Sequence, residues 1–191
     1  MSEPWPNLFA VKEFLEPSLR ETIVAEMKTA PGSAATVYGS TVSGTVDDSA
    51  RRTFRVRPSN ETVALVTQKL LGLKETIEER FGVVLKECEE PQFLRYREGD
   101  FFVAHQDGNT GMLRLESEQR RISTVIFLNR EAESPEPDAY GGGSLVFSDF
   151  FRARFRVTSE PGELLAFRSE TTHEVTPVTH GERYSIACWY R

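Results

Sequence analysis

From residue 91 onward the chain breaks into short apolar runs separated by glycine and proline: "QFLRYREG", "FFVAHQD", "RRISTVIFLN", "GGGSLVFS", "FRVTSEPGELLAF", "HEVTPVTHG" and "RYSIACWYR". These runs are rich in Val, Ile, Phe and Tyr, and turn signals recur about every 8 to 14 residues. Strands this short are unstable alone and must cover their edges, so they close into an antiparallel sandwich or barrel. A length of 191 residues suits one domain with one sizeable core. The expected class is α+β, mainly β: helices and supporting strands over 1–90, then a jelly-roll-like core over 91–191, as a single domain 1–191.

The first ninety residues have a different texture. Residues 8–29 read as a short strand and then a helix, broken at Glu16-Pro17-Ser18, with Leu19, Ile23 and Met27 on one face. The Gly-, Ser- and Thr-rich stretch from 30 to 52 has no period; it reads as a linker or pocket-covering loop with one short strand near Thr36–Tyr38. Residues 58–82 are the clearest helix, capped by Ser59 or Asn60, striped by Val63, Val66, Leu70, Leu73 and Ile77, and closed by Gly82. Gly72 weakens its middle and is a candidate point of division. The helices are expected to back one sheet.

Only three histidines are present, His105, His173 and His180. Residues i and i+2 of a strand point to one face, so His105 and Asp107 can converge on a point. His173 opens another predicted strand. Two imidazoles and a carboxylate on a rigid β-scaffold are a ligand set for non-haem Fe(II), and zinc accepts the same ligands. The final strand alternates, with Arg183, Ser185, Ala187 and Trp189 on one face and Tyr184, Ile186, Cys188 and Tyr190 on the other. A guanidinium on the inner face needs an anionic partner, and its planar fork suits a carboxylate; on an edge strand it would simply be solvated.

Taken together, "YREGDFFVAHQD", "RRISTVIFLN", "YGGGSLVF", "PGELLAFRSETTHEVTPV" and "GERYSIACWY" resemble the 2-oxoglutarate- and Fe(II)-dependent dioxygenases. Within that superfamily the resemblance is to the prolyl 4-hydroxylase-like branch, and it covers residues 91–191. It implies a double-stranded β-helix (cupin-like) core. It also implies His105, Asp107 and His173 as Fe(II) ligands, and Arg183 as partner of the far carboxylate of 2-oxoglutarate. Tyr96 and Ser185 are implied cosubstrate contacts, with Ser123 or Thr124 as further candidates. O2 is the implied co-reactant and ascorbate a candidate reductant. The implied reaction is hydroxylation of a C–H bond, of a prolyl or other amino-acid residue in a protein or peptide, with release of succinate and CO2. Many collagen-type members carry Lys where this chain has Arg183. The alternatives are a hydroxylase of a free amino acid or other small molecule, and more distantly a non-catalytic or zinc-binding cupin-like protein.

Other features carry less. His180 in "VTHGERY" reads as a solvent-exposed turn, and Gly141–Gly143 as a loop where backbones approach closely rather than a phosphate loop. Trp189 and Phe167 read as core aromatics; Arg114, Arg120 and Arg121 read as solvated charge or substrate contacts. Cys88 and Cys188 lack any C-x-x-C spacing, so no disulfide framework is suggested. A net charge of −6 and pI near 5.3 argue against a nucleic-acid surface. No apolar run is long enough to span a bilayer and no secretory signal is evident, so a cytoplasmic location is the default expectation. Oligomeric state is not legible.

Overall fold

A computed structural model describes residues 7–36, 46–108, 119–149, 153–158 and 160–191. Among the described residues two helices, α1 (Pro17–Thr29) and α2 (Asn60–Phe81), accompany fourteen short strands. The first four strands are β1 (Leu8–Val11), β2 (Gly32–Ala34), β3 (Arg51–Arg52) and β4 (Phe54–Val56). Then come β5 (Gln92–Tyr96), β6 (Phe101–His105), β7 (Ile122–Phe127), β8 (Tyr140–Gly142) and β9 (Leu145–Ser148). The rest are β10 (Arg154–Arg156), β11 (Leu164–Arg168), β12 (His173–Val175), β13 (Val178–Gly181) and β14 (Arg183–Tyr190).

The strands form a seven-stranded sheet, β1-β11-β7-β14-β5-β4-β2, and a five-stranded sheet, β10-β9-β12-β6-β3. A small pair, β13-β8, completes them. Every pairing between these strands is antiparallel. The two sheets face one another as a double-stranded β-helix, and the helices back the larger sheet.

The period-two pattern of β14 accounts for both layers. Tyr184, Ile186, Cys188 and Tyr190 join Ile23 and Met27 of α1 and Val66, Leu70 and Ile77 of α2 in one core cluster. Ala187 and Trp189, on the opposite face, join Leu94, Phe147, Phe167 and Val175 in a second cluster between the sheets. The Tyr190 hydroxyl crosses the first core to donate to the Leu70 carbonyl at 2.7 Å. A buried phenol is thereby satisfied, and α2 is fixed over the sheet.

Helix α2 begins at Ser59, whose side chain accepts from the Thr62 N–H, and ends at Gly82 in the left-handed region (φ 61°). Both match the expected signals. Gly72 does not divide it: the helix runs unbroken. One exposed glycine costs less than the core contacts on either side of it return. A Cβ at Gly72 would meet nothing within 4 Å, so Gly72→Ala should stabilise the protein by about 0.5–1 kcal/mol, read as a rise in denaturation midpoint at unchanged slope.

The N-terminal strands depart from expectation. The strand placed near Thr36–Tyr38 is instead Gly32–Ala34, paired with β4; Thr36 is in no strand and Tyr38 lies outside the described residues. Strands β3 and β4 were not anticipated, since two or three residues carry no measurable period. Cys88 and Cys188, 100 residues apart in sequence, bring their sulfurs to 3.1 Å. Burial and its thiol neighbour push Cys188 up, while the bond to Cys188 holds Cys88 below the ordinary thiol range.

Candidate active site

The last residue of β6 and the first of β12 are both histidines, and the antiparallel register sets His105 opposite His173. Their rings lie 4.3 Å apart. Asp107 follows β6 by two residues and is pinned there: its N–H and that of Gly108 both donate to the Ser169 carbonyl at 3.0 Å. The Nε2 atoms of His105 and His173 each lie 3.5 Å from an Asp107 carboxylate oxygen. The three side chains offer ligand atoms all within 4.8 Å of one another.

The outer ring nitrogens are committed elsewhere. Nδ1 of His105 lies 2.9 Å from the Val103 carbonyl, and Nδ1 of His173 lies 2.9 Å from that of Thr171. A carbonyl only accepts, so each Nδ1 carries the hydrogen and each Nε2 presents its lone pair to the cluster. Burial, with repulsion from His105, pulls His173 down to about 4, which keeps it a neutral ligand at physiological pH. Burial alone would raise Asp107. The two histidines and the Trp189 indole outweigh it, and the carboxylate is held well below its usual range. Two neutral imidazoles and one anion, tightly grouped and turned inward, fit a divalent iron.

Ser123, expected among the cosubstrate contacts, is placed otherwise. Its hydroxyl donates to Asp107 Oδ2 at 2.8 Å and lies 2.9 Å from the Ser169 hydroxyl. Thr124, the other candidate, contributes to the cavity wall but donates its hydroxyl to the Cys188 carbonyl at 3.0 Å. Neither hydroxyl is left over for a cosubstrate. Ser123 instead orients the carboxylate of the candidate metal cluster; if that cluster holds iron, Ser123→Ala should weaken Fe(II) binding about 10- to 100-fold in a metal titration while leaving the fold intact.

The cluster opens into a cavity of about 330 Å³, within the range of small-molecule sites. Arg183 stands in its wall on the central strand β14 and is 1% exposed. The solvated-edge alternative is thereby excluded. Its Nη1 donates to the Ser185 hydroxyl at 2.8 Å, while Nε and Nη2 are buried without a partner. The rings of Tyr96, Phe127 and Tyr140 surround it at 5.2, 5.7 and 6.0 Å. Tyr96 sits opposite it in register on β5 and also lines the cavity. Two unanswered N–H groups on a buried fork are a receptor for a carboxylate.

The glycines expected at a close approach occupy one. A Cβ at Gly143 would stand 3.0 Å from Arg183 Cδ, and one at Gly142 (φ +63°) would stand 2.3 Å from the Pro177 carbonyl. His180 is not an exposed turn tip: it lies in β13 with its ring against Gly141, and it does not line the cavity. Gln106 reaches the cavity wall and donates to Thr172 at 3.2 Å. Arg114 lies outside the described residues, and Arg121 is exposed.

Three features were not foreseen. Trp189, a core aromatic as read, also lines the cavity, and its indole helps to hold the Asp107 carboxylate below its usual range. Arg120 is no solvated charge: it makes a paired bond to Glu89 (2.7 and 2.6 Å) and lies 3.9 Å over the Trp189 ring. Ser169 anchors both the Asp107 backbone and the Ser123 hydroxyl. A serine directly after a buried strand is the only local signal it gives.

Comparison with known proteins agrees with this geometry. The family model described as the 2OG-Fe(II) oxygenase superfamily matches residues 91–191. A PKHD-type hydroxylase of Phenylobacterium zucineum is 29% identical over 177 residues, covering 90% of this chain and 74% of that one. Another, from Burkholderia thailandensis, is 36% identical over 101 residues, 52% of this chain and 41% of the relative. Of that second relative, the match thus spans well under half the length. Among solved structures, a Pseudomonas putida prolyl-4-hydroxylase superposes with a TM-score of 0.73 at 23% identity, covering 97% of this chain and 92% of that one. A Trichoplax adhaerens prolyl hydroxylase in complex with a hypoxia-inducible-factor peptide fragment gives 0.70 at 16% identity, covering 96% and 83%.

Proposed function

Since the chain belongs to the 2OG-Fe(II) oxygenase superfamily, we propose that it acts as a member of the prolyl 4-hydroxylase-like branch and hydroxylates a C–H bond of a prolyl or other amino-acid residue in a peptide or protein. Succinate and CO2 are the coproducts. The observation that carries this reading is the orphaned, buried fork of Arg183 in the wall of the cavity that also receives the His105–Asp107–His173 cluster. The Trichoplax neighbour's peptide complex supports a peptide substrate, and the hydroxylase relatives support the reaction type. A hydrolytic zinc site would use the same three ligands but leaves Arg183 buried and unanswered.

His105, Asp107 and His173, which all line the cavity, would hold Fe(II). The bound iron, with 2-oxoglutarate and O2, supplies the oxidising power for C–H hydroxylation. The protein's own work is placement. Arg183, whose Nε and Nη2 are buried without a partner, would hold the far carboxylate of 2-oxoglutarate, and Ser185 keeps the guanidinium from rotating. Tyr96 walls this pocket and excludes water from the charge pair, which strengthens it. Ser123 fixes the rotamer of Asp107, and the Nδ1 bonds fix both imidazoles. Because both imidazole protons are committed to carbonyls, neither histidine serves as an acid or base.

The test combines a spectrum with turnover. Anaerobic addition of Fe(II) and 2-oxoglutarate should produce a weak visible charge-transfer band. Under air, succinate should then form slowly alone and faster with proline-containing peptides. Stoichiometric zinc with neither band nor succinate would support the hydrolytic reading instead.

A further inference from the structure

Three arginines line the cavity: Arg51, Arg120 and Arg183. Arg120 is neutralised by its paired bond to Glu89, and Arg183 is matched to the cosubstrate on the reading above. Arg51 has no such match.

Arg51 begins β3, at the edge of the smaller sheet, opposite Phe102 of β6. It is 7% exposed. Its Nη1 donates to the Thr36 carbonyl at 3.1 Å, and its Nε is buried without a partner. Among the described residues no carboxylate pairs with it. Asp47, which shares the cavity wall, spends Oδ1 on the Ser49 N–H and hydroxyl at 3.0 and 2.6 Å. A guanidinium this buried, neutralised by no described carboxylate, is expensive to keep, and its fork calls for an anion.

Its position says what the anion belongs to. The Arg51 guanidinium lies 4.6 Å over the Phe102 ring, and Phe102 stacks on the metal-side ring of His105 at 3.5 Å and 17°. One aromatic ring therefore separates this cation from a metal ligand, on the opposite sheet from Arg183. The cosubstrate anchor and Arg51 thus stand on two different walls of one cavity.

We infer that Arg51 is a specificity-determining residue that receives a carboxylate of the substrate, so that the substrate class is a carboxylate-bearing amino acid or peptide. The short path through Phe102 puts the carboxylate and the carbon to be oxidised on one amino acid or on adjacent residues. Two sources share this chemistry, the α-carboxylate of a free or C-terminal amino acid and the side chain of a neighbouring acidic residue. The inference rests on the hydroxylase reading for the oxidised carbon, while the carboxylate site itself stands on the geometry of Arg51.

The experiment uses the full chain loaded anaerobically with Fe(II) and 2-oxoglutarate, followed by the visible band and by calorimetry. The probes are the free L-amino acids against their amides, and proline peptides with glutamate against the same peptides with glutamine. At least one carboxylate probe should bind ten times or more tighter than its neutral twin. Arg51→Gln should erase that difference while 2-oxoglutarate still produces its band, and Arg51→Lys should keep part of it. A free amino acid as the tight binder identifies the α-carboxylate; a glutamate peptide identifies the side chain. Twins that bind alike, no probe binding at millimolar concentration, or undiminished discrimination in Arg51→Gln each overturn the inference. So does a lowered Fe(II) affinity in Arg51→Gln with discrimination intact, which would make Arg51 only a support for Phe102 and His105. If the wild-type band never forms, the hydroxylase reading fails, and calorimetry on the twin probes still decides Arg51 alone.

Discussion

Asp107→Ala should abolish stoichiometric Fe(II) binding, and with it any succinate release, while the protein stays folded. Asp107 is the only anion in the three-ligand cluster; without it two neutral imidazoles face a dication. The carboxylate is also buried and already charged, held so by the two histidines and the Trp189 indole against the cost of burial. Its removal leaves Ser123 without its acceptor, a modest loss beside that of the metal. Equilibrium dialysis with Fe(II) and a thermal melt separate the two effects. Wild-type metal affinity in the alanine variant would show that the cluster is not the iron site. Asp107→Asn, which preserves shape and one acceptor oxygen, should retain weak binding at most, since charge rather than volume is what it lacks.

Arg183→Ala should weaken 2-oxoglutarate by about 2–5 kcal/mol, the range for truncating one partner of a buried hydrogen-bonded charge pair. That is a drop of roughly 30- to several-thousand-fold in affinity. Fe(II) affinity should change little, because Arg183 touches none of the three ligands. Arg183→Met is the sharper variant. It fills much of the same volume without a charge, so the cosubstrate-free protein should melt no lower than wild type, and even higher, once an unpaired buried guanidinium is gone. A fall in melting temperature with 2-oxoglutarate affinity intact would reassign Arg183 to structure. Arg183→Lys should bind 2-oxoglutarate more weakly than wild type: an ammonium supplies charge but not two parallel bonds.

The parts of this site that could be read beforehand share one property: each is a local pattern on a regular element. His105 and Asp107 are two apart, His173 opens a strand, and the alternation of β14 separates Arg183 and Ser185 from Tyr184 and Ile186. What escaped was set by pairs distant in sequence. Ser123 faces Asp107 rather than a cosubstrate because β7 lies beside β11, whose end delivers Ser169. Arg120 looked like a loop charge until the fold brought Glu89 beneath it. The cysteines, dismissed on spacing, meet because residue 88 bridges to Tyr190 at the edge of the core. Strands β3 and β4, of two and three residues, were too short to have a period. Gly72 was read by propensity alone, and packing along Val66, Leu70 and Ile77 overrode it.

The place of β14 in the larger sheet has a bearing on how the molecule matures. Among the described strands it comes after all the others in sequence, yet it lies between β7 and β5, so within the described sheet β1-β11-β7 and β5-β4-β2 are joined through it. Such non-local closure is slow compared with forming a helix or hairpin. Strands β6 and β12, which carry both histidines, can pair with each other before β14 is seated. Arg183 and Ser185 can take up their posts only afterwards. On the proposed reading, a nascent chain could gather its metal early, yet it would gain a grip on 2-oxoglutarate only at the final closure. Oxidising chemistry would thus be withheld until there is a finished barrel to contain it.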